Sequence, residues 1–157
     1  MKFLVRWCLQ SDLERIACIE LESFEFPLEY DDFLACLKRK DYVGLVVEHE
    51  TKVIGFMLYQ IKNEYYKLIS IAVEPAYRHN GAGSAMINYL KNTIKNKIKL
   101  IISDEKKAEH CFFKKNGFVA VNILKEHFGP NHDGYEFIYD ALKKVKCKIK
   151  REKSELG

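Results

Sequence analysis

The stretch that decides the fold is LISIAVEPAYRHNGAGSAM, residues 68–86. Its first six residues are largely apolar and rich in β-branched side chains, which predicts a buried strand over residues 66–73 that ends before Pro75. Beyond Gly83, apolar residues recur at helical spacing and predict an amphipathic helix to about Asn96. The chain therefore passes from a strand through a short glycine-containing loop directly into a helix.

The junction between this loop and the helix is suited to bind an anion. The first N–H groups of a helix have no intrahelical acceptor, and the helix dipole adds a positive potential there. Glycine lets a ligand approach the backbone, so the loop predicts a phosphate or pyrophosphate site, with a simple helix-capping turn as the alternative. Two common phosphate motifs do not fit. No lysine follows the glycines as in a Walker loop, and Met86 replaces the third glycine of a dinucleotide fingerprint.

The other periodicities predict strands and helices in the order β-α-α-β-β-β-α-β-α-β-β. Ser11 and Glu14 form a predicted capping box, and the helix that they open directs Leu13 and Leu21, among others, to the core. The strand over 53–61 is apolar on both faces, which predicts an interior position in a sheet. The other predicted strands lie at 2–7, 43–49, 100–102, 118–124 and 135–140, and the other helices near 30–37 and 105–115.

Length and composition predict one globular domain over residues 1–142. The chain has no run of about 18 apolar residues, and early charges such as Lys2 leave no room for a signal-peptide core, so we expect no membrane segment. The five cysteines are scattered without a Cys-x-x-Cys pair, which predicts reduced thiols and a cytoplasmic location. The histidines show no metal-binding spacing, so no metal is expected.

The basic character of the chain is concentrated at its carboxyl end. The net charge is +4, and residues 143–157 alone hold seven basic against two acidic side chains. We therefore expect a solvated basic tail on a nearly neutral domain. Binding of this tail to RNA or acidic lipid is the less favoured alternative, because no aromatic residues are interleaved to stack on bases.

The loop Arg78-His79-Asn80-Gly81-Ala82-Gly83 resembles the pyrophosphate loop of the GNAT family of N-acetyltransferases. That loop reads Arg/Gln-x-x-Gly-x-Gly/Ala after a strand and a proline, and this chain matches it at every defined position. The element order over residues 3–141 is similar to that of the same family. The resemblance implies the α/β (α+β) GNAT fold, in which a mixed, mostly antiparallel sheet of about seven strands is flanked by about four helices.

The resemblance also implies acetyl-CoA as co-substrate and identifies the residues expected to bind it. In the family, the central strand holds the pantetheine arm, the loop holds the pyrophosphate, and a later helix packs beside the coenzyme. Residues 108–118, AEHCFFKKNGF, are similar to that helix. The cofactor-binding residues implied are Ile71, Ala72, Val73, Arg78, His79, Asn80, Gly81, Ala82, Gly83, Ser84 and Phe112.

Two further segments resemble the branch of the family that acetylates protein N-termini. Residues 24–30, FEFPLEY, are similar to a Phe-Pro-x-x-Tyr segment that lines the acceptor groove in those enzymes. This similarity implies acceptor contacts for Phe26, Pro27, Glu29 and Tyr30. A place in the core is the alternative for Phe24 and Phe26. The Asp-Gly-Tyr spacing of residues 133–135 resembles that of RimI-type enzymes, which acetylate the N-terminal alanine of a ribosomal protein.

The positions of the family's catalytic residues depart from that pattern. The position of the general base in RimI-type enzymes falls on Ile101, or near Asp104 if the loop is realigned. The position of the tyrosine acid falls on Phe113, which has no proton to give. We therefore expect Asp104, or else Glu105, acting through water, as proton acceptor and Tyr135, or else Tyr139, as proton donor.

The acceptor is expected to be an amine that loses its proton easily. An α-amine with a pKa near 7.8 is about 14% neutral at pH 7, whereas a lysine with a pKa near 10.4 is about 0.04% neutral. A chain without a strong base is therefore easier to reconcile with a protein N-terminal α-amine than with lysine. Three alternatives stay open: a polyamine or aminoglycoside bound by the acidic residues of 20–32, a protein lysine, and a non-catalytic acetyl-CoA-binding module. We expect a monomer or a homodimer, with no nucleic-acid partner.

Overall fold

The computed structural model describes residues 1–142, so the predicted basic tail over 143–157 lies outside the described residues. Within 1–142 the predicted order of elements is confirmed. The strands are β1 (Leu4–Trp7), β2 (Tyr42–His49), β3 (Lys52–Ile61), β4 (Tyr65–Val73), β5 (Lys97–Ser103), β6 (Val119–Leu124) and β7 (Gly134–Asp140), and the helices are α1 (Leu13–Ser23), α2 (Tyr30–Leu37), α3 (Ala82–Thr93) and α4 (Lys107–Lys115). Across this part of the chain, none of the helices is long and apolar enough to cross a membrane.

The first of two compact units comprises Met1–Lys62 and Lys67–Asn92. Its strands have the neighbour order β1-β2-β3-β4, and the β1–β2 and β2–β3 pairs are antiparallel. Residues 54–60 of β3 are all buried, so the predicted interior position of this strand is confirmed. Phe33 of α2 packs edge-to-face on Phe56 of β3, with ring centroids 5.4 Å apart, in a core that joins both helices to the strands.

The start of α1 differs from the prediction. A 3₁₀ turn over Gln10–Asp12 precedes the helix, and the Asp12 carboxylate accepts the Leu9 N–H at 2.8 Å. Asp12 also accepts two hydrogen bonds from the Arg6 guanidinium, at 2.8 and 3.0 Å. The predicted capping box at Ser11 is therefore wrong, because Ser11 lies inside the 3₁₀ turn and the residue that precedes the first turn of α1 is Asp12.

The inward face of α1 also differs from the prediction at its last turn. Leu13 and Ile16 are buried as expected, but Leu21 is 68% exposed. At 3.6 residues per turn, Leu21 lies roughly 120° from the centre of the inward stripe. Ile19 and Glu20 occupy the buried positions of this turn instead.

The second unit comprises Asn63–Tyr66 and the chain from Thr93 onward. Its strands have the neighbour order β5-β7-β6, with both pairs antiparallel. Its core is aromatic: Phe113 lies 5.1 Å from Phe118, and Phe118 lies 5.7 Å from Tyr139, measured between ring centroids. The register places Ser103 of β5 opposite Gly134 of β7, which brings the residues after β5 next to those before β7.

Candidate functional site

The loop between β4 and α3 reverses direction through left-handed backbone. Pro75–Tyr77 forms a single 3₁₀ turn after β4, and α3 begins at Ala82. Between them His79 has φ +64° and Gly81 has φ +92°. The Asn80 side-chain amide donates to the backbone carbonyls of Tyr77 and Arg78, at 3.3 and 3.1 Å. The shape of the loop is thus held by its own hydrogen bonds.

The same loop offers backbone N–H groups to an anion. Helical hydrogen bonding begins with the Ala85 N–H, which donates to the Gly81 carbonyl at 2.9 Å. The N–H groups of residues 82–84 precede this bond and so have no intrahelical acceptor. Residues 78–81 are exposed, which leaves this end of the 12-residue helix open to a ligand. The arrangement fits a pyrophosphate, which needs several donors and a positive helix end.

Arg78 connects this loop to two neighbouring elements. Its Nε donates to the Val73 carbonyl at the end of β4, at 2.8 Å, and its Nη2 donates to the Ser23 hydroxyl of α1, at 3.1 Å. The Ser23 hydroxyl in turn donates to the Ile19 carbonyl at 2.6 Å. These bonds give the Arg78 side chain a role in holding the shape of the loop, in addition to its positive charge.

The end of β4, where Ile71, Ala72 and Val73 are the predicted cofactor contacts, lies very close to β3. A Cβ added at Gly55 would lie 2.9 Å from the Ala72 carbonyl oxygen, a separation that only glycine permits. The Glu74 N–H donates to the Ile54 carbonyl at 2.7 Å. The strand end that leads into the loop is therefore rigidly attached to β3.

The segment between α1 and α2 is anchored at alternate residues and presents Phe26. Phe24, Leu28 and Tyr30 pack against the core, whereas Phe26 is 87% exposed. The core alternative therefore holds for Phe24 and not for Phe26. Pro27 is half-buried, and the exposed Glu29 precedes α2 with its N–H bound to the Asp32 carboxylate at 2.8 Å.

Glu20 is a buried acidic residue whose position the sequence did not predict. It was grouped with the acidic side chains of 20–32, yet it is only 3% exposed while Glu22, Glu25, Glu29, Asp31 and Asp32 are exposed. Its Oε2 accepts the Ser70 hydroxyl at 2.8 Å, and its Oε1 accepts the Leu28 N–H at 3.2 Å. Burial raises the pKa of this carboxyl, against the lowering effect of its two hydrogen bonds. The helical spacing from Leu13 and Ile16 was the signal that could have identified it.

In the second unit, Asp104 lies in a cluster of polar groups that also contains His132. The Asp104 N–H donates to the Asp133 carbonyl at 2.9 Å, which joins the turn after β5 to the loop before β7. The Nδ1 atom of His132 lies 3.1 Å from a carboxylate oxygen of Glu105 and 3.9 Å from one of Asp104. This nitrogen is buried and has no aligned hydrogen-bond partner among residues 1–142.

Tyr135 lies beside this cluster on β7. It is opposite Ile102 of β5, and its ring packs edge-to-face on His110 with centroids 5.2 Å apart. Tyr139, the other proposed proton donor, is 7% exposed, and burial raises its pKa. Tyr135 is thus the more accessible of the two tyrosines.

Gly134 explains the Asp-Gly-Tyr spacing before β7. A Cβ at Gly134 would lie 2.8 Å from the Ile101 side chain and 3.1 Å from the Cβ of His127. Asp133, which precedes it, accepts the Glu126 N–H at 2.9 Å and binds Lys125 at 3.3 Å. The hydrogen bond from the Glu126 N–H, helped by Lys125, holds the pKa of the Asp133 carboxyl below its usual range.

The positions of the family's base and acid hold apolar side chains. Ile101 is half-buried, and the residue directly opposite it on β7 is Glu136, which carries a carboxylate on the same face of the sheet. Phe113 is 2% exposed and packs between Phe112 and Phe118, so it serves the core. Phe112 itself, the predicted coenzyme contact, is half-buried.

Potential metal-ligating side chains and thiols are not clustered among residues 1–142. In that range no group of three or more His, Cys, Asp or Glu side chains is placed to hold a metal ion. Its four cysteines, Cys8, Cys18, Cys36 and Cys111, are free thiols.

Comparison with protein families matches residues 40–120, just over half of the chain, to the acetyltransferase (GNAT) domain. The fold and the loop thus define an acyltransferase that takes its acetyl group from acetyl-CoA. The chain belongs to the GNAT family, and the predicted fold class, enzyme class and co-substrate are confirmed. A comparison with functionally curated proteins found no match.

Solved structures of low sequence identity share this fold. The ribosomal-protein-S18-alanine N-acetyltransferase of Escherichia coli is 19% identical, covers 87% of this chain and 92% of its own, and has a TM-score of 0.76. The Arabidopsis thaliana NAA60 structure with a bisubstrate analogue is 20% identical, with 88% and 97% covered and a TM-score of 0.76. The spermidine N-acetyltransferase SpeG of Vibrio cholerae, solved as a point mutant, is 19% identical, with 90% and 95% covered and a TM-score of 0.75. The contacts of individual residues with coenzyme and acceptor stay predictions.

Proposed function

We propose that this enzyme transfers the acetyl group of acetyl-CoA to a protein N-terminal α-amine, as RimI-type enzymes do. The observation that carries the proposal is the α1–α2 segment, which holds Phe26 87% exposed between two anchored neighbours, Phe24 and Leu28. An exposed aromatic ring on an anchored segment is suited to an apolar side chain of a peptide. The fold shared with the S18-alanine acetyltransferase and NAA60 agrees with this choice.

The coenzyme half of the site rests on the loop after β4. The N–H groups of residues 82–84, at the start of α3, are the donors proposed for the pyrophosphate. Arg78 holds the loop against Val73 and supplies positive charge nearby. The oxyanion of the tetrahedral intermediate would be met by a backbone N–H of residues 71–73.

The proton transfers are assigned to the second unit. Asp104, with Glu105 and the buried Nδ1 of His132, forms a polar cluster that can receive the proton of the amine through water. Tyr135 is the proposed donor to the leaving thiolate, because Tyr139 is buried. A weak base suffices for an α-amine, whose deprotonation at pH 7 costs about 3.5 kcal/mol less than that of a lysine.

A small polycationic amine is the second candidate acceptor. The observation in its favour is a set of five exposed acidic residues on and around the α1–α2 segment: Glu22, Glu25, Glu29, Asp31 and Asp32. Such a set attracts a polyamine or an aminoglycoside. The shared fold of spermidine N-acetyltransferase and of aminoglycoside 6′-N-acetyltransferase is compatible with this reading.

Thiol release from acetyl-CoA tests the choice of acceptor. The panel is a hexapeptide with a free N-terminal alanine, the same peptide N-terminally blocked but carrying a lysine, spermidine, and kanamycin. We expect the free N-terminus to be preferred over the blocked peptide by about tenfold or more, given the difference in deprotonation. Preference for spermidine or kanamycin would replace the proposal with the second candidate. Binding of acetyl-CoA in calorimetry without turnover of any amine would favour a non-catalytic module.

Replacement of the proposed proton-transfer groups gives a second test. We expect Asp104→Asn and His132→Gln each to lower kcat by about tenfold to a hundredfold. Glu136→Gln is the matched comparison, because Glu136 faces the family's base position from the neighbouring strand. A loss confined to Glu136→Gln would move the proton acceptor to that residue.

We further propose that residues 1–142 act as one catalytic domain in the cytoplasm. The family match over 40–120 includes parts of both compact units, which supports a single functional domain. The free thiols of the described cysteines agree with a reducing compartment.

A further inference from the structure

We infer that Glu20 is a positioning residue for the acceptor, because its carboxylate holds the α1–α2 segment against β4. The inference rests on the proposed function insofar as that segment is taken to contact the acceptor amine. Glu20 is not among the residues implied by the family resemblance. It is assigned here from its burial and its contacts.

The backbone and the side chain of Glu20 each bind one end of the α1–α2 segment. Its backbone carbonyl accepts the Phe24 N–H at 3.1 Å, and its side-chain Oε1 accepts the Leu28 N–H at 3.2 Å. Phe26, the exposed ring of the segment, lies midway between these two points. One residue therefore closes the turn that presents Phe26.

The other carboxylate oxygen fixes this turn to the sheet. Oε2 accepts the Ser70 hydroxyl at 2.8 Å, and Ser70, on β4, is 9% exposed. The last three residues of the same strand, 71–73, are the predicted pantetheine contacts. Glu20 thus joins the acceptor segment to the strand that is expected to hold the acetyl donor.

Packing of the core does not by itself account for a carboxylate at this position. A buried acidic group is costly, and the two groups that bind this one, the Ser70 hydroxyl and the Leu28 N–H, are both neutral. An apolar side chain would pack in the same place without that cost, but it could not accept the Leu28 N–H. A carboxylate at this position is explained if exact placement of the α1–α2 segment benefits catalysis more than burial of the carboxylate costs in folding stability.

The test compares Glu20→Gln with Glu20→Ala. Glutamine can accept the Leu28 N–H through its carbonyl and donate its amide to the Ser70 hydroxyl, which is able to accept, so both links survive. Alanine removes both. Glu14→Ala, at an exposed position in the first turn of α1, is the control.

With the alanine hexapeptide as acceptor, Glu20→Ala is expected to raise its KM about tenfold or more, as for the loss of a hydrogen bond to a charged group. The KM for acetyl-CoA should change less than about twofold, and Glu20→Gln should restore the peptide KM to within about threefold. Equal changes in both KM values, or a Gln variant as impaired as the Ala variant, would overturn the inference. The second result would make Glu20 a proton carrier instead.

Amide hydrogen exchange supplies a readout that does not need turnover. Exchange of residues 24–29 should be faster in Glu20→Ala than in wild type or Glu20→Gln, while that of β2 and β3 stays unchanged. If no amine is turned over by the wild type, the proposed function fails, and this measurement still decides the positioning role. Unchanged exchange in 24–29 contradicts it. Should Glu20→Ala not fold, Ser70→Ala removes only one link and is expected to shift the peptide KM and the exchange in the same direction by a smaller amount.

Discussion

The proposal that the loop of residues 78–83 binds the pyrophosphate can be tested at Gly81. The test separates the left-handed backbone that Gly81 adopts from the absence of a charged side chain there. Gly81 has φ +92°, and among the described residues a Cβ there would meet only the ring of Phe3, at 3.9 Å. Replacement by alanine is therefore not a clash. Its cost is the left-handed conformation, about 1–2 kcal/mol for a residue with a Cβ.

The free-energy cost of the left-handed conformation in Gly81→Ala must appear either in the Tm or in the Kd for acetyl-CoA. If the loop of Gly81→Ala keeps its conformation, the native state is less stable by the full amount, and Tm falls by roughly 2–8 °C with the acetyl-CoA Kd unchanged. If the free loop relaxes and must be restored on binding, Tm falls less and Kd rises by up to about 30-fold. Gly81→Asn is the matched control, because asparagine adopts the left-handed region more readily, so both changes should be smaller.

Gly81→Glu has the same backbone cost as Gly81→Ala and also introduces a negative charge. A carboxylate near a helix N-terminus is favourable by about 0.3–1 kcal/mol, so the Tm of Gly81→Glu should be no lower than that of Gly81→Ala. Two charges about 5 Å apart repel by about 0.8 kcal/mol in bulk water and about 3 kcal/mol at the effective dielectric near a protein surface. With a pyrophosphate at the loop, Kd for Gly81→Glu should therefore exceed that for Gly81→Ala by about 4-fold to about 160-fold in calorimetric titration. Equal Kd values for the two variants would refute the assignment of the loop.

Three further outcomes follow from the contacts described. Gly134→Ala should lower Tm by roughly 2–12 °C in calorimetry, because its Cβ would overlap Ile101 at 2.8 Å; an unchanged Tm would mean that the two strands separate without cost. Burial raises the pKa of Glu20, so wild type should lose stability as pH rises above about 4.3, whereas Glu20→Gln should not, and the urea midpoint of the variant relative to wild type should increase toward neutral pH. The Arg6 guanidinium holds the pKa of Asp12 below its usual range, so this pair stabilises the fold above about pH 3.9 and its contribution disappears as pH falls further; Asp12→Asn should flatten the acid limb of the urea midpoint against pH, and an unchanged limb would contradict the assignment.

The sequence predicted the features that depend on neighbours along the chain. The order of strands and helices follows from apolar periodicity, which each segment carries by itself. The loop of residues 78–83 follows from glycine spacing and from the strand and helix on either side. Both are local properties, and both agree with the structure.

The features that the sequence did not predict depend on distant contacts or on competition between neighbouring side chains. His132 meets Glu105 only because β5 and β7 pair with Ser103 opposite Gly134, a register that periodicity does not specify. The Asp12 carboxylate, rather than Ser11, binds the Leu9 N–H before α1, and Arg6 from β1 holds it there. Each outcome requires the partner to be in place before the choice between similar residues can be made.

The last turn of α1 shows how such contacts connect the α1–α2 segment and the loop of residues 78–83, both in the first unit. Ser23 accepts a hydrogen bond from Arg78, which holds the loop proposed for the pyrophosphate, and Glu20, three residues earlier, holds the segment proposed for the acceptor. Residues three apart on a helix lie on the same side, so a single turn reaches both loops. The glutamate and the serine at these positions are polar where the helix would otherwise be apolar, and each binds backbone or side-chain groups that no apolar residue could satisfy. If the two loops bind donor and acceptor as proposed, this turn fixes their separation, and conservative changes there should affect catalysis more than stability.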